Sequence, residues 1–139
     1  MNTEVFKYLP HGVSGSQWVF RWENLEPTVI VLGLYINHQL VGLVSFIRQP
    51  GFNMIVNLEV LAEQQGQGYG AKLLAIVMID SFNQPANEGY VSLTTKTTDV
   101  QHFYTHLGGE IHYRKVTFHT WTSQRIIQKY LPNGGNIIW

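Results

Sequence analysis

Gln65-Gly66-Gln67-Gly68-Tyr69-Gly70, followed by Ala71, has the composition of a turn that holds phosphate. Glycine lets backbone N–H groups approach a ligand with no Cβ in the way, and a helix starting there adds about half a positive charge. A plain strand-to-helix turn has the same composition, so the surroundings must decide. A Walker loop requires Lys-Ser or Lys-Thr after the glycines, and none follows. Gly66, Gly68 and Ala71 do meet the G-x-G-x-x-A dinucleotide spacing. That fold, however, needs parallel strands before the turn and an acid about 20 residues later. The corresponding strand here ends Leu93-Thr94-Thr95-Lys96, without one.

Other candidate groups are weaker. His102 and His106 stand four apart on an expected helix, the spacing of one metal-binding face. With no cysteine in the chain, no acidic pattern nearby and no evident third ligand, they read as ordinary helix histidines, and no metal is expected. His38, His112 and His119 show no spacing that selects them. Trp18, Trp22, Trp121 and Trp139 could line an apolar pocket, but core or interface packing is the simpler reading.

The elements that must position the glycine turn follow from periodicity and breakers. Residues 5–9 read as a first strand ended by Pro10. Ser14 or Ser16 is expected to cap a helix carrying Trp18, Val19, Trp22 and Leu25, closed by Pro27. Residues 29–36 and 40–47, joined by Asn37-His38-Gln39, read as a β-hairpin. Pro50-Gly51 turns the chain into a third meander strand, 54–61. Residues 68–82 then carry apolar side chains at helical spacing on most faces, as a buried central helix would. A strand at 90–95, a short helix from Asp99 to Leu107 stopped by Gly108-Gly109, a strand or hairpin at 110–120 and a last helix at 122–131 complete the order.

With 139 residues and no repeat or linker, a single domain over residues 1–139 is expected. Asp, Glu, Lys and Arg make up 13% of the chain, and nine basic residues balance nine acidic ones. No bulk field therefore draws it to nucleic acid or an acidic membrane. No apolar run approaches the roughly 20 residues of a membrane span. The amino terminus lacks a secretory pattern, so a cytoplasmic protein is expected. Ile137-Ile138-Trp139 is apolar for a tail and is expected to dock on the domain or on a second subunit of a homodimer.

Three motifs in order point to a family. Leu58-Glu59-Val60 with Gln65-x-x-Gly68-x-Gly70 resembles the cofactor motif of the GNAT superfamily of acyl-CoA-dependent N-acyltransferases. Asn37 to Gly42 resembles its hairpin between second and third strands, and Phe103-Tyr104-Thr105-His106-Leu107-Gly108 its F-Y-x-x-L-G segment. The resemblance covers about 29–109. It implies an α/β fold of α+β type: a mixed, mostly antiparallel sheet of six to seven strands, helices on both faces, and the fourth strand splayed from the fifth. Pantetheine of acetyl-CoA would lie in that gap against backbone groups of Leu58, Val60 and Leu61, like an added strand. The pyrophosphate would meet N–H groups of Gln65, Gly66, Gln67, Gly68, Gly70 and Ala71.

The implied activity is N-acetyl transfer from acetyl-CoA to a primary amine of a small molecule or protein by direct attack in a ternary complex. The alternative is a catalytically weak CoA-binding or regulatory module with the same fold. Tyr104 aligns with the family's proton donor to the departing thiolate. The family's general base often lies earlier on the fourth strand, where Met54, Val56 and Leu58 stand here. Glu59, that strand's only acid, is the candidate base, although period-two alternation points it away from the face of Val60 unless a bulge intervenes; a water chain or an amine arriving unprotonated is the alternative. Thr97, Val100 and Gly109 also depart from the pattern, where Asn, Ala and an aromatic are frequent. The segment 14–24 looks short for an acceptor wall, and 122–139 matches no simple closing hairpin.

Overall fold

The computed structural model describes residues 3–23, 26–97 and 100–139. The first half is an antiparallel meander of β1 (Glu4–Tyr8), β2 (Ile30–Ile36), β3 (Gln39–Gln49) and β4 (Phe52–Val60). Asn37 and His38 both have positive φ, 51° and 70°, as a tight hairpin turn requires, and Gly51 at 89° turns β3 into β4. Helix α1 (Tyr69–Asn83) returns the chain to β5 (Val91–Thr94), which lies parallel to β4. Next come α2 (Gln101–His106), the hairpin β6 (Glu110–His112) and β7 (Lys115–Phe118), α3 (Thr120–Tyr130) and β8 (Ile137–Ile138). One eight-stranded sheet results, in the order β6-β7-β5-β4-β3-β2-β1-β8.

Alternation along the strands sends side chains to two cores. Leu32, Leu34, Val44 and Phe46 join α1 in the larger one, while Val31 and Leu43 join Trp18, Trp22 and Leu61 in a second. Leu73, Leu74, Ala75, Ile76, Val77 and Met78 are all fully buried, because α1 is enclosed by the sheet and by α3. That explains an apolar stretch with so little amphipathic contrast; each large side chain contributes about 1.5–3 kcal/mol. The buried Asp80 accepts hydrogen bonds from Arg48 Nε (3.0 Å) and Asn53 Nδ2 (2.9 Å), fastening α1 to β3 and β4.

Three expectations change. No helix forms over residues 14–23: Gly12 and Gly15 have φ of 64° and 147°, and Gly12 bridges to Glu23, so the segment runs as an irregular strap. Leu25, assigned to that helix, and Asp99, assigned to the start of α2, lie outside the described residues. With that helix absent, the strap covers the second core, and the apolar residues of α1, α2 and α3 gather in the first, where helices on both faces were expected. The sheet has eight strands because the tail adds one: Ile137 and Ile138 pair in parallel with Phe6 and Lys7. Trp139 packs at a tilt with its ring centroid 5.7 Å from that of Tyr8, so the tail docks on its own domain, one of the two expected places.

Candidate active site

The candidate phosphate cradle begins where β4 stops. Leu61 N–H is bonded to Val41 O at 3.0 Å, a 3-10 turn spans Ala62–Gln64, and Gly66 and Gly68 both enter the left-handed region, at φ 84° and 85°. Gly68 caps α1 without a side chain. Because Lys72 N–H makes the bond to Gly68 O, at 3.1 Å, the preceding N–H groups of Tyr69, Gly70 and Ala71 have no intrahelical acceptor. A Cβ on Gly66 would meet nothing within 4 Å, and one on Gly68 only the Tyr130 ring at 3.7 Å. The space above both is open, as an anion seat needs. Gly70 differs: a Cβ there would lie 2.9 Å from Phe103 Cζ, so this glycine lets α2 pack on α1.

From the cradle a cleft of about 640 Å³ runs between Val19, Phe20 and Glu59 on one side and Gly68, Gly70, Phe103 and Tyr104 on the other. Gln65 Nε2 donates to Val60 O inside it, at 3.2 Å. Leu58 and Val60 line the cleft, whereas Leu61, expected beside them as a cofactor contact, has its N–H taken by β3 and its side chain in the second core.

The register of β4 explains a second opening. Ser45 pairs Asn57 while Phe46 pairs Ile55, so Val56 is an extra residue, a bulge. β4 and β5 pair only through Asn53–Val91 and Met54–Ser92. Past that point a cavity of about 240 Å³ lies between residues 55–58 and 93–97. Phe20, Leu58, Val100 and Tyr104 border both this cavity and the larger cleft. Tyr104 therefore stands at the junction, packed edge-on against Phe103 (5.0 Å) and Phe118 (6.4 Å). Burial raises its pKa above the ordinary phenol value. Lys96, over the Phe20 ring at 3.8 Å, adds a cation to the rim of the smaller cavity.

Glu59 has a defined task. The bulge precedes it by three residues and leaves the alternation at 58–60 intact: Leu58 and Val60 pack on the first core, and Glu59 turns the other way. Its carboxylate accepts from Val19 N–H (2.6 Å), Phe20 N–H (3.2 Å) and Trp22 Nε1–H (2.9 Å). It thus fixes the strap that forms one wall of the cleft. The signal for this was a lone acid in an apolar strand; its partners, some forty positions away, left no local trace. Phe20 and Lys96 were missed for the same reason. Gly109, where an aromatic is frequent, would bring a Cβ within 2.7 Å of Val116 Cγ1, so no side chain fits. His102 and His106 share one cavity wall, and among the described residues no group of three metal-ligating side chains forms. No helix among the described residues is long and apolar enough to cross a membrane.

A mixed sheet opened between two parallel strands, beside a helix whose bare amino terminus faces the opening, defines a class, and the sequence agrees with it. Residues 4–108 match the Acetyltransferase (GNAT) family, well over half of the chain, and the protein belongs to that family. Solved structures share the fold. The KacTA–DNA complex includes a chain similar at TM-score 0.66 and 13% identity, over 91% of this chain and 99% of that one. AtaTR bound with acetyl-CoA gives 0.57 and 18%, over 72% and 73%. A GNAT family acetyltransferase from Elizabethkingia anophelis with acetyl-CoA bound gives 0.53 and 19%, over 61% and 56%. No curated protein sequence matches the chain significantly.

Proposed function

We propose that this protein is an N-acetyltransferase that moves the acetyl group of acetyl-CoA to a primary amine of a small molecule or protein, by direct attack in a ternary complex. The observation that carries the reading is the continuity of one cleft, from the open N–H groups at the start of α1 to the Tyr104 ring where β4 and β5 part. The cradle holds the pyrophosphate, and Leu58 and Val60 offer a strand edge to pantetheine. Tyr104, kept neutral by its burial, hydrogen-bonds the thioester sulfur and protonates the thiolate as the C–S bond breaks. The amine enters past Phe20 and loses its proton to solvent, since Glu59 already accepts three hydrogen bonds.

That engagement of the only strand acid also supports the second reading, a CoA-binding module with weak turnover. Free-CoA release with a panel of small amines and amine-bearing peptides separates the two. Turnover with at least one amine above the rate of thioester hydrolysis is expected; saturable acetyl-CoA binding with no turnover across the panel would favour the module. The balanced charge supports an acceptor other than nucleic acid, and the setting we propose is cytoplasmic. Including DNA in the binding assays checks the first of these, and absence of a mobility shift is the expected result.

A further inference from the structure

The cradle has a second neighbour that the family match does not reach. α3 begins at Thr120, beyond residues 4–108, and its last residue, Tyr130, stands against Gly68. Lys72, in the first turn of α1, donates to Tyr130 O at 3.3 Å and pairs with Glu4 at 2.6 Å, so the end of α3 is fastened to the start of α1. Between α2 and α3 lies a cavity of about 600 Å³ bordered by Gly68, Phe103, His102, His106 and Tyr130. Gly68 and Phe103 border the cofactor cleft as well, so the two spaces meet at the anion seat. Past His106 and Tyr130 a further basin of about 330 Å³ is lined by Arg125 and Lys129.

The charge of this route is one-sided. Two imidazoles, a guanidinium and an ammonium line it, and no carboxylate does. Among the described residues Arg125 and Lys129 form no ion pair; each lies over an aromatic ring of its own helix, Trp121 at 5.0 Å and Tyr130 at 5.3 Å. In a chain whose charges balance overall, an acid-free basic groove starting at a phosphate seat selects an anion joined to that phosphate. Coenzyme A carries such a group, the 3′-phosphate of its adenosine end.

We propose that the groove between α2 and α3 is the seat of the adenosine 3′-phosphate, with Arg125 and Lys129 as its charged contacts. The inference rests on the acyl-CoA reading and adds to it a phosphate contact made by the carboxyl-terminal helix. Guanidinium and ammonium donors form charge-assisted hydrogen bonds to phosphate oxygens, Arg in a bidentate fork.

Titration calorimetry of the full chain with acetyl-CoA and with 3′-dephospho-acetyl-CoA tests it. Wild type is expected to bind the phosphorylated form about tenfold or more tightly, the range of one or two charge-assisted bonds. Arg125→Ala with Lys129→Ala is expected to bring the two affinities together by weakening only the phosphorylated form. Lys129→Glu alone is expected to weaken that form further than Lys129→Ala. Both side chains are exposed, and an unchanged melting temperature verifies that the variants are folded. Equal affinities in wild type, or a preference that survives the double substitution, overturn the proposal and leave the acyl-CoA reading standing. Failure of wild type to bind either molecule overturns both.

Discussion

The turn at residues 66–71 and the strap at residues 19–22 face one cleft, yet main-chain groups build the first, whereas the second is tied down by the Glu59 carboxylate beside the buried Trp22. The turn presents N–H groups and empty space, so it is damaged by adding atoms. The strap has no regular hydrogen-bond ladder and depends on Glu59, so it is damaged by removing an acceptor. The two walls also differ in what they reveal: glycines that make room for a ligand are visible as glycines, whereas a carboxylate spent on backbone donors resembles a catalytic acid.

Adding bulk to the turn is expected to give the largest effect. Gly68→Val places a β-branched residue at φ 85° and fills the space in front of the free N–H groups. Acetyl-CoA affinity should fall by more than about 100-fold, since the lost groups include several charge-assisted bonds. Gly66→Ala sharpens the point: its Cβ meets nothing, so it should cost only the left-handed backbone strain of about 1–2 kcal/mol, with a milder loss of affinity. Calorimetry and thermal melts of both variants check this. If Gly68→Val binds acetyl-CoA normally, the anion is not seated on this turn.

How much was legible divides along the same line. The meander, α1 and β5 were readable because each buries a face whose period is set locally, and the turn residues Asn37 and Gly51 carry the positive φ their positions need. The strap was misread as a helix because Trp18 and Trp22 stand four apart, as on a helical stripe. They do enter one core, but from an irregular segment: Gly15 has φ of 147°, outside the helical region, and Trp22 is held by a long-range bond to Glu59. β8 was invisible for a related reason, since a two-residue strand is defined only by its partner β1. Of the candidate site, the glycine turn and Tyr104 were singled out through motifs; Phe20, Lys96 and the basic side of α3 come to line neighbouring cavities only once distant segments meet.

Tyr104 stands where the cleft meets the smaller cavity, and its expected effect is intermediate. Tyr104→Phe keeps the packing on Phe103 and Phe118 and removes only the hydroxyl. A proton donor of this kind contributes about 10²–10⁴-fold, so kcat should fall by about 100-fold with little change in acetyl-CoA affinity. Burial disfavours the phenolate, so the protonated form persists above the ordinary value near 10, and this group should impose no decline between about pH 7 and 9. An alkaline limb inside that window that vanishes in Tyr104→Phe would contradict the direction of the shift, and unchanged kcat would remove the donor role.

The smallest effect on rate is expected at Glu59, and it bears most directly on the comparison. Glu59→Gln retains one acceptor oxygen, which can serve Phe20 N–H and Trp22 Nε1–H as Oε1 does now. Its amide would then set a donor against Val19 N–H, which now sits 2.6 Å from the other oxygen. One unsatisfied donor pair costs about 1–3 kcal/mol, discounted here because Val19 is exposed. The strap should loosen and the melting temperature fall modestly. As Phe20 belongs to the strap, acceptor KM should rise several-fold while kcat and its pH profile hold. A general base would behave otherwise: kcat would drop about 10²–10⁴-fold and its acidic limb would disappear. The split between KM and kcat therefore separates a residue that shapes the wall from one that moves a proton, and Glu59→Asp, which keeps the charge and shortens the reach, should loosen the strap without altering the pH profile.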